Sequence, residues 1–213
     1  MVRSYGAFLL WDASHAVGAI EMNFDANGVD IAVGCTYKYG NSGPGSPAWL
    51  YVNKRVQAEL QVPIQGWFSQ GDQFGMGPVF ERADGIRGFQ IASPSLIGLR
   101  CVKTAFSMIE EATISAIAEK AAIGTQMMID LYDAWLADLG FTLLTSRNAK
   151  ERGGHISLGH PDAARICIAL RQFAHVIPDY RTPNSIRLAI APLPTSYVEI
   201  WDGFQRMRDL VAS

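Results

Sequence analysis

Three short apolar runs in the first quarter of the chain, at residues 6–10, 29–33 and 48–52, show little of the alternation that marks a half-buried strand. Runs of that length, bounded by turn formers, are expected for strands covered on both faces. Asn27-Gly28 and the Gly- and Pro-rich residues 43–47 punctuate them. From 56 to 93 the text is irregular, rich in Gly, Gln and Pro, and it carries Trp67, Phe68, Phe74 and Phe80. Loops this long in compact proteins are usually functional or interfacial. A helical segment follows, with Ser93 as its expected N-cap, Pro94 in its first turn, Gly124 as a candidate break and Gly140 as its stop after about Leu139. Beyond it the pattern predicts strands at 141–145 and 155–158, a helix over 162–173, strands at 175–178 and 185–190, and a helix over 197–211. The expected class is α/β: part of a large domain with a mixed sheet and helices over 1–100, then a long connecting helix and a small α+β domain over 101–213.

At 213 residues and 49% apolar composition the chain can bury one sizeable core, or a core and a smaller lobe. Eighteen basic residues against 20 acidic ones leave a net charge of -2 with no basic block, which argues against nucleic acid as a partner. Cys35, Cys101 and Cys167 lie far apart in apolar segments without metal-ligand spacing, and are expected to be reduced core residues of a cytoplasmic protein. His155 and His160 lack a third ligand at useful spacing, so no metal is expected. No apolar run is long enough to span a membrane, and the opening MVRSYGAFLLW is too short a run for a signal peptide. A core strand beginning after only five residues suggests a piece of something longer.

The residues that bear chemistry sit at predicted strand ends. WDASH places Asp12 and His15 after the first run, and ligands of open α/β sheets bind beyond the carboxyl ends of strands. The plain alternative is that Asp12 caps a turn and His15 satisfies it. In GCTYKYGNSGPGSP, residues 34–47, Lys38 stands between two tyrosines ahead of a glycine-rich loop. Burial favours the neutral form of an amine, a nucleophile toward aldehydes, whereas a solvated lysine is the ordinary alternative. Together, a carboxylate for a pyridine nitrogen and a lysine for an aldehyde are the two protein groups that pyridoxal phosphate chemistry requires. Arg187 lies inside an apolar run, where its charge needs a partner, either a ligand carboxylate or an internal acid. Arg152 and Arg181 read as solvated loop charges.

WDASHAVGAIEM, GVDIAVGCTYKYGNSGPGSPAWLYV, IQGWF, RADGIRGFQIASPS and NSIRLAIAPLPTSYVEIWD, taken in that order, resemble the kynureninase family of fold-type I pyridoxal phosphate enzymes. The likeness covers nearly the whole chain, and corresponds to the back half of a member. It implies that Lys38 bonds the cofactor aldehyde and shuttles protons, that Asp12 pairs with the pyridinium, and that His15 orients that carboxylate. Tyr37 would hold the cofactor phosphate and donate a proton. Trp67 and Ser93 would reach the cofactor from the neighbouring subunit of a dimer, though a packed aromatic and a helix cap explain them as well. Arg187 would bind the substrate α-carboxylate.

The implied reaction is hydrolysis of L-kynurenine or its 3-hydroxy form. The chain departs from the family pattern at Ile190, where Pro is common, at Pro194, where Tyr is common, and at Gly40, where a bulkier residue is usual. A full member is about twice as long, and its front half supplies the phosphate-binding turn and the aromatic that stacks on the ring. This chain is therefore expected to need self-association or a complementary N-terminal chain. Two other readings remain: a catalytically silent fragment, and a related lyase or desulfurase, which would need a nucleophilic cysteine on a mobile loop.

Overall fold

A computed structural model describes residues 2–212. The chain divides into two compact units, one of residues up to Val17 with Met22–Met108, the other of Gly18–Glu21 with Ile109 onward.

The first unit is built on a three-stranded sheet ordered β1-β2-β3. Strand β1 (Leu10–Asp12) runs parallel to β2 (Ile31–Gly34), with Asp12 opposite Val33, and β3 (Trp49–Val52) is antiparallel to β2. The first strand starts four residues later than its apolar run predicts. Val2–Tyr5 form a 3-10 turn and Gly6 adopts a left-handed φ of 70°, so the backbone cannot enter an extended ladder there. Nor is this strand covered on both faces: Leu10 and Trp11 are 55% and 51% exposed at the sheet edge. Behind β2, Asp30 is buried and held by the Arg55 guanidinium, the partner a buried carboxylate requires. Residues 53–95 carry only two 3-10 turns and an isolated bridge between Gln70 and Arg82.

Helix α1 spans Leu96–Ala112. Its first turn is capped by Ser95 and not by Ser93, since the Ser95 hydroxyl accepts from Gly98 N at 3.1 Å and Ser95 O accepts from Leu99 N. The expected single long helix is interrupted at Thr113, eleven residues before Gly124. Thr113 takes a φ of 64°, and its hydroxyl accepts from Ala116 N to start α2 (Ile114–Trp135). Gly124 serves packing instead: a Cβ there would stand 2.6 Å from the Ile190 side chain.

Four antiparallel strands form the sheet of the second unit, in the order β4-β5-β7-β6: β4 (Thr142–Leu143), β5 (His155–Gly159), β6 (Asp179–Arg181) and β7 (Ser185–Ala189). Gly140, left-handed at φ 84°, ends the turn after α2 as expected. The strand predicted at 175–178 lies instead at 179–181. His175 is left-handed at φ 53°, Val176 N still bonds back to Leu170 O, and Pro178 has no N–H for a ladder. Helices α2, α3 (Ala163–Phe173) and α4 (Tyr197–Val211) cover one face. The strict alternation of β5 and β7 turns Ile156, Leu158, Ile186 and Leu188 into that core, where they meet Ile129, Leu136, Leu170, Phe204 and Met207. Each such side chain contributes about 1.5–3 kcal/mol of burial. Among the described residues no helix is long and apolar enough to cross a membrane.

Helix α4 opens with a reciprocal capping box: the Ser196 hydroxyl accepts from Glu199 N at 3.2 Å, and the Glu199 carboxylate accepts from Ser196 N at 2.7 Å. The bonds that the Glu199 carboxylate accepts from Ser196 N and from the Ser196 hydroxyl hold it below its usual range. Ser196→Ala is expected to lower the stability of the second unit by about 1 kcal/mol, with Ser196→Gly losing only a few tenths, as read from urea unfolding midpoints. No loss in Ser196→Ala would show that the hydroxyl does not cap the helix.

Candidate functional site

The parallel pairing of β1 with β2 brings two chain segments out of the sheet at the same end. Ala13 N donates to Val33 O at 2.8 Å, Cys35 N donates to the Ser14 hydroxyl at 3.3 Å, and the Cys35 thiol reaches Ser14 O at 3.7 Å. The segment that carries Asp12 and His15 is thereby fixed to the one that leads into Lys38.

Asp12 is exposed, and its Oδ1 accepts from Ser14 N at 2.9 Å, the turn-capping role open to it from sequence. Its carboxyl is held below the ordinary value, first by the hydrogen bonds from Ser14 and then by the positive charges of Lys38 and His15. His15 is half-buried, with its ring edge-on to Tyr39 at 6.4 Å. Lys38 is half-buried rather than fully solvated, and its Nζ lies 5.9 Å from the ring centroid of Tyr37, itself 49% exposed.

The glycine-rich loop after the lysine folds back on itself. Asn41 N donates to Lys38 O at 3.0 Å and Ser42 N to Thr36 O at 3.2 Å, while the Thr36 hydroxyl donates to Pro47 O at 2.8 Å. Gly43 and Gly45 are left-handed at φ 79° and 83°. Gly40 is required for a different reason, because a Cβ there would lie 2.3 Å from Thr36 O. Gly98 of α1 comes close to Pro47, where a Cβ would stand 2.8 Å from its Cδ. The frame around the lysine is therefore a closed loop with its base tied to the strand end.

Among the described residues no contact draws Trp67 or Ser93 into this arrangement. Trp67 is 49% exposed and sits edge-on to Phe68 and Phe74 at 4.6 and 6.1 Å, on a turn held by the Ser69 hydroxyl donating to Gly66 O. Ser93 is exposed, and the helix cap expected of it belongs to Ser95. In the second unit Arg187 is paired with Asp179, which also accepts from Arg181 at 2.7 Å. Partial burial pushes the Asp179 carboxyl up, but the Arg181 hydrogen bond and the two guanidinium charges outweigh it, leaving a net downward shift.

Arg152 is not a solvated loop charge. It is half-buried and donates to the Thr125 hydroxyl, the Gln126 side chain and Arg147 O, clamping α2 to the loop before β5. Arg181 likewise lies on β6 and not in a loop. Of the three cysteines only Cys167 is buried, with its thiol pushed up by desolvation; Cys35 is half-buried and Cys101 is exposed. Among the described residues no cluster of three or more His, Cys, Asp or Glu could hold a metal ion.

A carboxylate kept ionised and an amine at one strand end fit the two polar demands of pyridoxal phosphate. The chain is similar to a cysteine desulfurase from Thermococcus onnurineus NA1, with a TM-score of 0.79 at 18% identity, over 99% of this chain and 54% of that one. It is also similar to a cystine C–S lyase bearing glycine covalently linked to its pyridoxal phosphate, with a TM-score of 0.76 at 16% identity, over 91% of this chain and 49% of that one. The class these likenesses define is one of fold: a mixed α/β architecture shared with about half of each of those chains.

Within that class the resemblance is to kynureninase. Residues 117–207 match the kynureninase C-terminal domain family. A kynureninase from Burkholderia mallei (strain SAVP1) is 35% identical over 210 residues, covering 99% of this chain and 50% of the relative. The chain is a homologue of kynureninases and spans about half the length of the curated relatives it matches.

Because the Lys38 charge bears on Asp12, Lys38→Ala is expected to raise the Asp12 titration midpoint toward 3.8, measured by carboxyl-carbon NMR. An unmoved midpoint would show that the Lys38 charge does not reach the Asp12 carboxyl. Gly40→Ala is expected to lower stability by roughly 1–3 kcal/mol and to shift the amide signals of residues 36–42.

Proposed function

We propose that this chain supplies the lysine- and carboxylate-bearing part of a kynureninase-type active site. Completed by a second copy or by a polypeptide resembling the other half of its relatives, it cleaves L-kynurenine or 3-hydroxykynurenine to anthranilate or 3-hydroxyanthranilate and L-alanine. The observation that carries this reading is the joining of the Asp12 and Lys38 segments at one strand end, in a chain 35% identical to a kynureninase.

Pyridoxal phosphate, when bound, supplies a covalent handle for the amino group and a ring that accepts an electron pair from the carbon being cleaved. Lys38 would hold the cofactor through its aldehyde and would then serve as the base for the substrate Cα proton and as its carrier. Asp12, held ionised by Ser14 and the neighbouring positive charges, keeps the ring nitrogen protonated, and His15 supports that carboxylate. Water adds to the γ-carbonyl, the Cβ–Cγ bond breaks with its electrons going to Cβ, and a proton delivered to Cβ completes alanine. Tyr37, half exposed beside Lys38, is the proposed donor of that proton and a contact for the cofactor phosphate. Trp67 and Ser93 contact the cofactor from a neighbouring subunit, and Arg187 binds the substrate α-carboxylate through its guanidinium fork. The desulfurase alternative lacks support at its nucleophile. The Cys35 thiol is engaged with Ser14 O, Cys167 is buried, and Cys101, though exposed, lies within helix α1 and not on a loop. The likeness to a cysteine desulfurase is one of fold alone.

Purified chain mixed with pyridoxal phosphate should develop the absorbance band of a lysine-linked cofactor, and Lys38→Ala should abolish it. No band with the wild-type chain would favour the silent-fragment reading. With a kynureninase front half supplied in trans, anthranilate fluorescence should report turnover, reduced at least about 100-fold by Lys38→Ala.

A further inference from the structure

The sheet of the second unit has two unlike faces. One carries Ile156, Leu158, Ile186 and Leu188 into the core. On the opposite face the register sets Ser157 and Asp179 on either side of Arg187, with Ser185 beside Arg181 in the adjoining row. This row is half-buried at Ser157, Asp179, Ser185 and Arg187. A polar, partly desolvated row on a sheet is costly unless its charges are matched.

The matching here is deliberately incomplete in charge. The Arg187 side chain is only 21% exposed, and its NH2 group donates to Asp179 Oδ2. Arg181, 58% exposed, donates its own NH2 group to the same oxygen at 2.7 Å. A lone Arg–Asp pair is neutral and offers an anion little field. Two guanidiniums converging on one carboxylate keep a net charge of +1, and each retains donors not used by that oxygen.

From this geometry we infer that Arg181 is a second carboxylate-recognition residue beside Arg187, and that Asp179 is a positioning residue holding both guanidiniums toward one incoming carboxylate. The inference rests on the reading of Arg187 as the group that takes the substrate α-carboxylate, and extends it to two residues. The ligand class is the carboxylate of an amino acid. Asp179 fills two needs, giving Arg187 a counter-charge when no ligand is present and fixing the angle between the two forks.

The full chain, labelled with 15N at arginine, is titrated with L-kynurenine, with its decarboxylated amine kynuramine, and with acetate, while the side-chain Nε–H signals are followed. L-Kynurenine should move the Arg181 and Arg187 signals with one shared dissociation constant, and kynuramine should move neither. Arg181→Gln, at an exposed position, should weaken L-kynurenine about 5–10-fold, with partial rescue by Arg181→Lys. Asp179→Asn is the sharper variant, because added net charge alone would tighten carboxylate binding, whereas loss of positioning weakens it. Movement of Arg187 without Arg181, wild-type affinity in Arg181→Gln, or unchanged or tighter binding in Asp179→Asn would overturn the inference. If acetate moves both arginines and L-kynurenine moves neither, the two-arginine site stands and the kynurenine reading fails. If no carboxylate moves either signal, the two-arginine site itself is refuted.

Discussion

One parallel strand pair organises the chemistry of the first unit. With β1 and β2 running the same way, both leave the sheet at one end, and the bonds from Ala13 to Val33 and from Cys35 to Ser14 prevent the exits from splaying. An antiparallel pairing would have sent Asp12 and Lys38 to opposite ends. The electrostatic pull of Lys38 and His15 on the Asp12 carboxyl follows from that direction, and so does any prospect of one aromatic ring being served by both an acid and an amine.

The second unit solves a different problem with the same element type. Its antiparallel strands alternate cleanly, so one face is free to specialise once α2, α3 and α4 have covered the other. Charge is tolerated on the uncovered face because cross-strand register places an acid directly opposite an arginine. Elsewhere the unit spends its arginines structurally: Arg147 forks onto Asp133 at 2.7 Å for each bond, and Arg152 closes the loop before β5.

Much of this was legible in the residues. The order of elements after Gly140, the left-handed stop at that glycine, the β7 strand and the α4 span follow from periodicity and turn chemistry, and the kynureninase likeness follows from the Tyr-Lys-Tyr and Gly-Trp-Phe segments. What was not legible depended on tertiary pairing. Nothing local distinguishes Thr113 as the helix break, because a threonine at positive φ is disfavoured and only its cap to Ala116 makes sense of it. Ser95 and Ser93 are equivalent as sequence, and only the register of the first turn separates them. Asp179 is not singled out by the sequence, where the apolar run points to a strand beginning four residues earlier than β6. The Asp-x-Arg alternation that puts both side chains on one face would have exposed it. Ser14 could have been found from the Asp-x-Ser turn pattern, whereas the Arg152 clamp required knowing what α2 would present to it.

The close approach at Gly40 also bears on how this loop can diverge. Any residue larger than glycine at position 40 requires the Thr36 carbonyl to lie elsewhere, since a Cβ there would stand 2.3 Å from it. A chain that has settled on the glycine version must shift the Thr36 peptide before any other amino acid can be accepted at that place.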